Sequence, residues 1–138
     1  MKRVLFDCDV VLDVLLKRQP FFLTSAQVLD AVVTEKIEGY LAGHAVTNIY
    51  YMLRRQRGRE LAHQELSKLL QHLLVVIVTD AVIRAALQSA MSDFEDAVAS
   101  EAAKAAGLDL VVTRNFTDFA TSPIPALSPN DLLKMLCE

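Results

Sequence analysis

The chain has 138 residues, with fourteen Lys and Arg against seventeen Asp and Glu, for a formal charge of −3. Hydrophobic residues make up 53% of it, which excludes intrinsic disorder and allows one domain, residues 1–138, with a substantial core. Asp7, Glu35, Asp80 and Asp93 break the long apolar runs well short of the roughly 20 residues that a membrane span needs, and the two cysteines, Cys8 and Cys137, form neither a CxxC pair nor a disulfide framework. Asp7, Asp9 and Asp13 also interrupt the apolar stretch that a signal peptide would need after Met1-Lys2-Arg3, so a cytoplasmic protein is expected. The acidic balance gives no global attraction to nucleic acid, and any such contact must use a local basic patch or metal ions.

In chain order, Lys2 to Phe6 reads as a first buried strand ending at Asp7. Val10 to Leu16 has helical character. After Pro20, Phe22, Ala26, Leu29, Val33 and Ile37 recur at helical spacing over Phe21 to Ile37. Gly39 fits the position just past that helix, and Tyr40 to Ala42 reads as a short strand. Val46 to Arg55 is helical, Gly58 breaks it, and Arg59 to His72 is a further amphipathic helix. Leu73 to Val78 is the clearest strand, followed by Thr79 as the cap of a helix reaching about Met91. Ser92-Asp93-Phe94-Glu95 spells a capping box with Ser92 at the cap, opening an Ala-rich helix that Gly107 ends. Leu108 to Thr113 is a last strand. Ser128-Pro129 begins a terminal helix. Strands alternate with helices, which predicts an α/β fold of three layers, a central parallel sheet flanked by helices.

In such sheets ligands gather at the carboxyl ends of strands, and acids stand there. Asp7, Asp9 and Asp13 follow the first strand; Thr113, Arg114, Asn115 and Asp118 follow the last; Asp93, Glu95 and Asp96 open the helix before it. Carboxylates converging within about 4–6 Å repel one another, and a divalent cation relieves this. Oxygen donors without His or Cys suit Mg²⁺ or Mn²⁺, ions that support phosphodiester hydrolysis. Each residue also has a plainer reading. Asp7 can be a helix cap, Asp9 a cap or a ligand's support, and Asp13 a solvated or supporting acid. Asp93 and Glu95 are explained by the capping box and helix dipole. Asp96 lies three residues after Asp93, on the same helix face, and is favoured as a ligand. Asn115 and Asp118 can be turn residues. Arg54, Arg55, Arg57 and Arg59 around Gly58 form either an RNA-phosphate patch or cations favoured by a helix C-terminus. Tyr50 and Tyr51 can stack on a base or pack internally. His44, His63 and His72 lack metal spacing and read as surface or internally satisfied histidines.

Two resemblances follow. Val4-Leu5-Phe6-Asp7-Cys8-Asp9-Val10 resembles the first motif of haloacid-dehalogenase-type phosphatases, and Leu110-Val111-Val112-Thr113 resembles a later strand of theirs. That family's Lys and downstream acidic pair have no counterpart in residues 114–138. The PIN-domain family fits over nearly the whole chain. Its hydrophobic strand ending in Asp is Leu5-Phe6-Asp7-Cys8-Asp9. Its acid heading an Ala-rich helix is Asp93-Phe94-Glu95-Asp96-Ala97, and its strand closing on Thr is Val111-Val112-Thr113-Arg114-Asn115-Phe116-Thr117-Asp118. The chain resembles in particular its VapC-like toxin ribonucleases. This resemblance implies a Mg²⁺- or Mn²⁺-dependent endoribonuclease with Asp7, Asp96 and Asp118 as catalytic, metal-binding acids. Asn115, Asp93 and Asp9 would join the metal site, with Thr113 and Asn48 in support. Water would attack phosphorus without a covalent intermediate. Arg54, Arg55, Arg57, Arg59 and Arg114 would contact RNA. The implied partners are an RNA substrate and an antitoxin protein, and the apolar content favours a homodimer or higher oligomer. One departure stands out: Asn48 occupies the neighbourhood where the family places a Glu on the middle helix, a loss that Asp9 or Asp93 is expected to offset. A PIN-fold RNA- or partner-binding protein without catalysis is the alternative, and a phosphatase the third reading.

Overall fold

The computed structural model describes residues 1–138. Twelve elements follow in order: β1 (Lys2–Phe6), α1 (Cys8–Leu15), α2 (Phe22–Val33), β2 (Ile37–Ala42), α3 (Gly43–Arg57), α4 (Arg59–Leu69), β3 (Leu73–Val76), α5 (Asp80–Leu87), α6 (Phe94–Ala105), β4 (Leu110–Val112), β5 (Ala126–Leu127) and α7 (Pro129–Leu136). All strands are parallel, in the order β3-β2-β1-β4-β5. Along β1 successive side chains alternate between the sheet's faces. Val4 and Phe6 join a core with Val10, Val11, Val28, Ile49, Leu53 and Leu132, beneath α1, α2, α3 and α7. Leu5 joins the opposite core with Ala97, Val98, Ala102 and Val82, beneath α5 and α6. The result is the predicted three-layer α/β fold. No helix is long and apolar enough to cross a membrane.

Most elements lie where periodicity puts them, and the differences have physical causes. α2 stops at Val33, with Glu35 at a φ of 61°, and Ile37 already belongs to β2. Gly39 is therefore no helix terminator. A Cβ there would sit 2.4 Å from Leu73 Cδ2 and 2.8 Å from Val32 Cγ2, so glycine is needed for close packing inside the strand. α5 ends at Leu87, short of Met91. β3 lies at the sheet edge and stops at Val76, short of the Val78 read from the sequence. It leaves Leu74 and Val75 exposed rather than buried, and Ile77 just beyond it is exposed too. β5 has two residues, too few for any period to reveal. Thr79 and Ser128 cap α5 and α7 as read. At α6 the cap is Asp93, not Ser92: Asp93 Oδ1 accepts from the Asp96 N–H at 2.9 Å.

Candidate metal centre

β1 lies between β2, reached in one direction along the sheet, and β4, reached in the other. That reversal opens a crevice at the carboxyl ends of β1 and β4. Asp7 leaves β1 as the first residue of the turn into α1, and its backbone N–H remains bonded to the Val112 carbonyl at 3.0 Å. Thr113 leaves β4 beside it, buried, and its hydroxyl donates to Asp7 Oδ2 at 2.8 Å. Thr113 Oγ1 also accepts from the Asn115 N–H at 3.0 Å. α6 points its N-terminus at the same place. There Asp7, Glu95 and Asp96 each offer a carboxylate oxygen, all within 4.8 Å of one another. Asp7 and Asp96 are buried and Glu95 is half-buried.

The electrostatics follow from this crowding. Burial raises the Asp7 pKa from its ordinary 3.8 to about 6; the Thr113 hydroxyl works against the shift, and the charges of Asp9 and Glu95 add to it. Asp96 is raised as well, by burial first, then by its hydrogen bond with Glu95 and the charge of Asp7. Glu95 moves the other way. The His44 ring is the main cause, and burial opposes it. Of the adjacent pair, Asp96 holds the proton and Glu95 the charge. Cys8 Sγ lies 3.7 Å from Glu95 Oε1, and burial beside these acids pushes its thiol pKa well up, so it adds no charge. Without a cation, burial and mutual repulsion make Asp7 and Asp96 hold their protons more tightly than free carboxyls do. A dication would displace them, and three oxygen donors match the chemistry of Mg²⁺ or Mn²⁺.

The other residues read from the sequence surround this group or lie away from it. Asp9 is on α1, with Arg18 at 3.4 Å and the Asn115 side-chain amide donating to it at 3.3 Å. Asp93 is exposed and spends a carboxylate oxygen on its cap. Asp118 is half-buried on the turn after β4, outside the three-carboxylate group, and its side chain has no hydrogen bond or ion pair. Asn48 is exposed on α3 and makes no side-chain bond. Arg114 is tied inward: its Nε donates to Asp13 Oδ2 at 2.9 Å, and its guanidinium lies 4.1 Å over the Phe21 ring. Asp13, fully buried, is the supporting acid of its two sequence readings. Arg54, Arg55, Arg57 and Arg59 are exposed at the C-terminal end of α3 and the start of α4. α3 begins at the site, so a rise of 1.5 Å per residue puts Arg54, Arg55 and Arg57 about 15–20 Å along the helix from it.

Two residues at the cluster were not singled out by sequence reasoning. Glu95 was absorbed into a capping box. With the cap at Asp93, it is the second residue of the helix, and its carboxylate is free to join Asp7 and Asp96. His44 has no spacing signal, because its partner lies 51 residues away.

A family model described as "PIN domain" matches residues 3–117. No curated protein matches the sequence. Solved structures share the fold. VapBC2 from Rickettsia felis bound to a DNA fragment from their promoter has a TM-score of 0.72 at 11% identity, over 91% of this chain and 98% of that one. A toxin–antitoxin complex from Klebsiella pneumoniae has a TM-score of 0.68 at 16% identity, over 91% and 97%. VapC20 from Mycobacterium tuberculosis, described as a sarcin–ricin loop cleaving toxin, has a TM-score of 0.64 at 15% identity, over 78% and 86%.

Proposed function

The chain belongs to the PIN domain family, and from that premise we propose that it is a metal-dependent endoribonuclease, the toxin of a toxin–antitoxin pair, acting as one domain. The phosphatase reading falls away with that membership. The observation that carries the proposal is the meeting of Asp7, Glu95 and Asp96 within 4.8 Å at the crevice between β1 and β4. These three would hold Mg²⁺ or Mn²⁺. The bound ion would polarise a phosphodiester and make nearby water a better nucleophile.

The chain's own residues prepare the site. The Thr113 hydroxyl fixes one oxygen of Asp7. The Asp93 cap secures the backbone at Asp96. The Asn115 amide and Asp9 join the β4 turn to α1. The ion pair between Asp13 and Arg114 locks the same two segments from below. Asp118 stays in the proposed catalytic set because, unlike Asp9, Asp13 and Asp93, nothing holds its carboxylate elsewhere.

RNA is proposed as substrate by analogy with VapC20, and an antitoxin as partner by analogy with the R. felis and K. pneumoniae complexes. With RNA as substrate, the proposed place of action is the cytoplasm. The exposed Leu74, Val75 and Ile77 on the sheet's edge support self-association. The exposed arginines at the far end of α3 would contact flanking RNA phosphates.

The test is RNA cleavage by the wild type and by Asp96→Asn with Mg²⁺ or Mn²⁺. Cleavage by the wild type alone is expected, and equal cleavage by both would remove the site. The acid-free α3, with Asn48 turned to solvent, favours a second reading, a binding protein without catalysis. Retained RNA binding without cleavage in either metal would establish that reading instead.

A further inference from the structure

α3 carries no acid, yet it reaches the carboxylate cluster through its second residue. His44 Nε2 lies 3.3 Å from Glu95 Oε1 and 3.3 Å from the Glu95 carbonyl oxygen. The Glu95 carbonyl can only accept, so Nε2 carries the hydrogen and donates it there, whatever the state of the other ring nitrogen, and the carboxylate oxygen makes an ion-pair contact with the same N–H. His44 is the only basic side chain that bonds Glu95. That matters because Glu95 is unlike its neighbours in the cluster. Asp7 and Asp96 are short and buried, with Thr113 holding Asp7 and the Asp93 cap holding the start of α6. Glu95 is longer, and its side chain is 34% exposed. A free Glu side chain loses rotamer entropy when it is fixed. Left unanchored, it would spend much of its time in water, away from Asp7 and Asp96.

We propose that His44 is a positioning residue that holds the Glu95 carboxylate in the metal-binding cluster, so that α3 supplies the site with a hydrogen-bond donor and α6 supplies the carboxylate. The inference rests on the reading of Asp7, Glu95 and Asp96 as a dication site. The plainer role for the same contact is a clamp between α3 and α6, which would affect stability and leave metal binding alone. Metal-ligand orientation by a neighbouring hydrogen bond is worth about 10- to 100-fold in affinity, so the two roles separate on affinity.

The experiment is a calorimetric titration of the full chain with Mn²⁺, using wild type, His44→Gln, His44→Asn and Asp96→Asn, each checked by circular dichroism. Glutamine keeps an N–H donor at nearly the reach of Nε2, whereas asparagine is one methylene too short. His44→Gln is expected to bind Mn²⁺ within about twofold of wild type, and His44→Asn about tenfold or more weakly. In a Glu95→Gln background, His44→Asn should change the affinity no further. Wild-type affinity in His44→Asn overturns the inference, as does an effect that persists without the Glu95 carboxylate. If the wild type itself takes up no Mn²⁺, or Asp96→Asn binds it equally well, the dication site and this inference fall together.

Discussion

Replacing Asp7 with Asn tests the electrostatics of the site apart from its chemistry. In the metal-free protein the Asp7 pKa is raised from 3.8 to about 6, chiefly by burial. The folded chain therefore binds this proton more tightly than the unfolded chain does. The stability tied to Asp7 is complete below its ordinary pKa and is lost as pH rises through about 6. At about 1.4 kcal/mol per pKa unit, the ionised carboxylate costs the metal-free fold about 3 kcal/mol above that pH. Asparagine cannot ionise, and its side-chain oxygen can still accept the Thr113 hydroxyl. Asp7→Asn should thus be more stable than wild type in chelator, and by the same linkage its advantage should grow by about 1.4 kcal/mol between pH 5 and pH 8. For a chain of this size that growth is roughly 5 °C in Tm, readable by thermal melts at the two pH values. Excess Mn²⁺ should reverse the order. An ion at a thousandfold its Kd adds about 4.1 kcal/mol to the wild type and little to the variant, more than the roughly 3 kcal/mol that the ionised carboxylate costs. A variant that melts below wild type at pH 8 in chelator would refute the argument, as would an offset that is the same at both pH values.

Two further outcomes follow from the surroundings of the site. Arg114→Ala leaves the fully buried Asp13 with only Arg18, at 3.8 Å, and should cost about 3–5 kcal/mol in urea unfolding with an unchanged m-value. Lysine at that position should recover only part of the loss, since it lacks the planar fork that bonds Asp13 and stacks on Phe21; a loss under about 1 kcal/mol for the alanine variant would contradict the buried-pair account. Replacing Arg54, Arg55 and Arg57 together with Gln should leave Mn²⁺ affinity unchanged, weaken RNA binding and flatten its salt dependence by up to about three phosphate contacts. Unchanged RNA affinity in a filter-binding assay would reduce these arginines to favourable charges at a helix end.

Much of this protein was legible in its sequence because the relevant signals are local. β1 ends at Phe6 with Asp7 next, Thr79 and Ser128 cap their helices, and Gly58 and Gly107 stand at positive φ where helices stop. Alternating apolar runs and amphipathic stretches are enough to predict a parallel sheet between helix layers, and hence that acids after β1 and before β4 lie at one edge. Where each carboxylate points was decided by tertiary structure. A one-residue shift of the cap, from Ser92 to Asp93, committed Asp93 to the backbone and released Glu95 to the cluster. In sequence Asp9 read as a cap or a ligand's support, and Asp13 as a solvated or supporting acid. Packing of Arg114 against Phe21 and Asp13 buried one, while Asp9 stayed half-exposed beside Arg18. Gly39 read as a helix stop until the neighbouring Leu73 and Val32 side chains left no room for a Cβ. The meeting of His44 and Glu95 spans 51 residues, and no local period encodes it. Backbone preference acts over a few neighbouring residues and is written in the order of the chain. Side-chain electrostatics depend on distances through space, which exist only once the sheet and its helices have closed around the crevice.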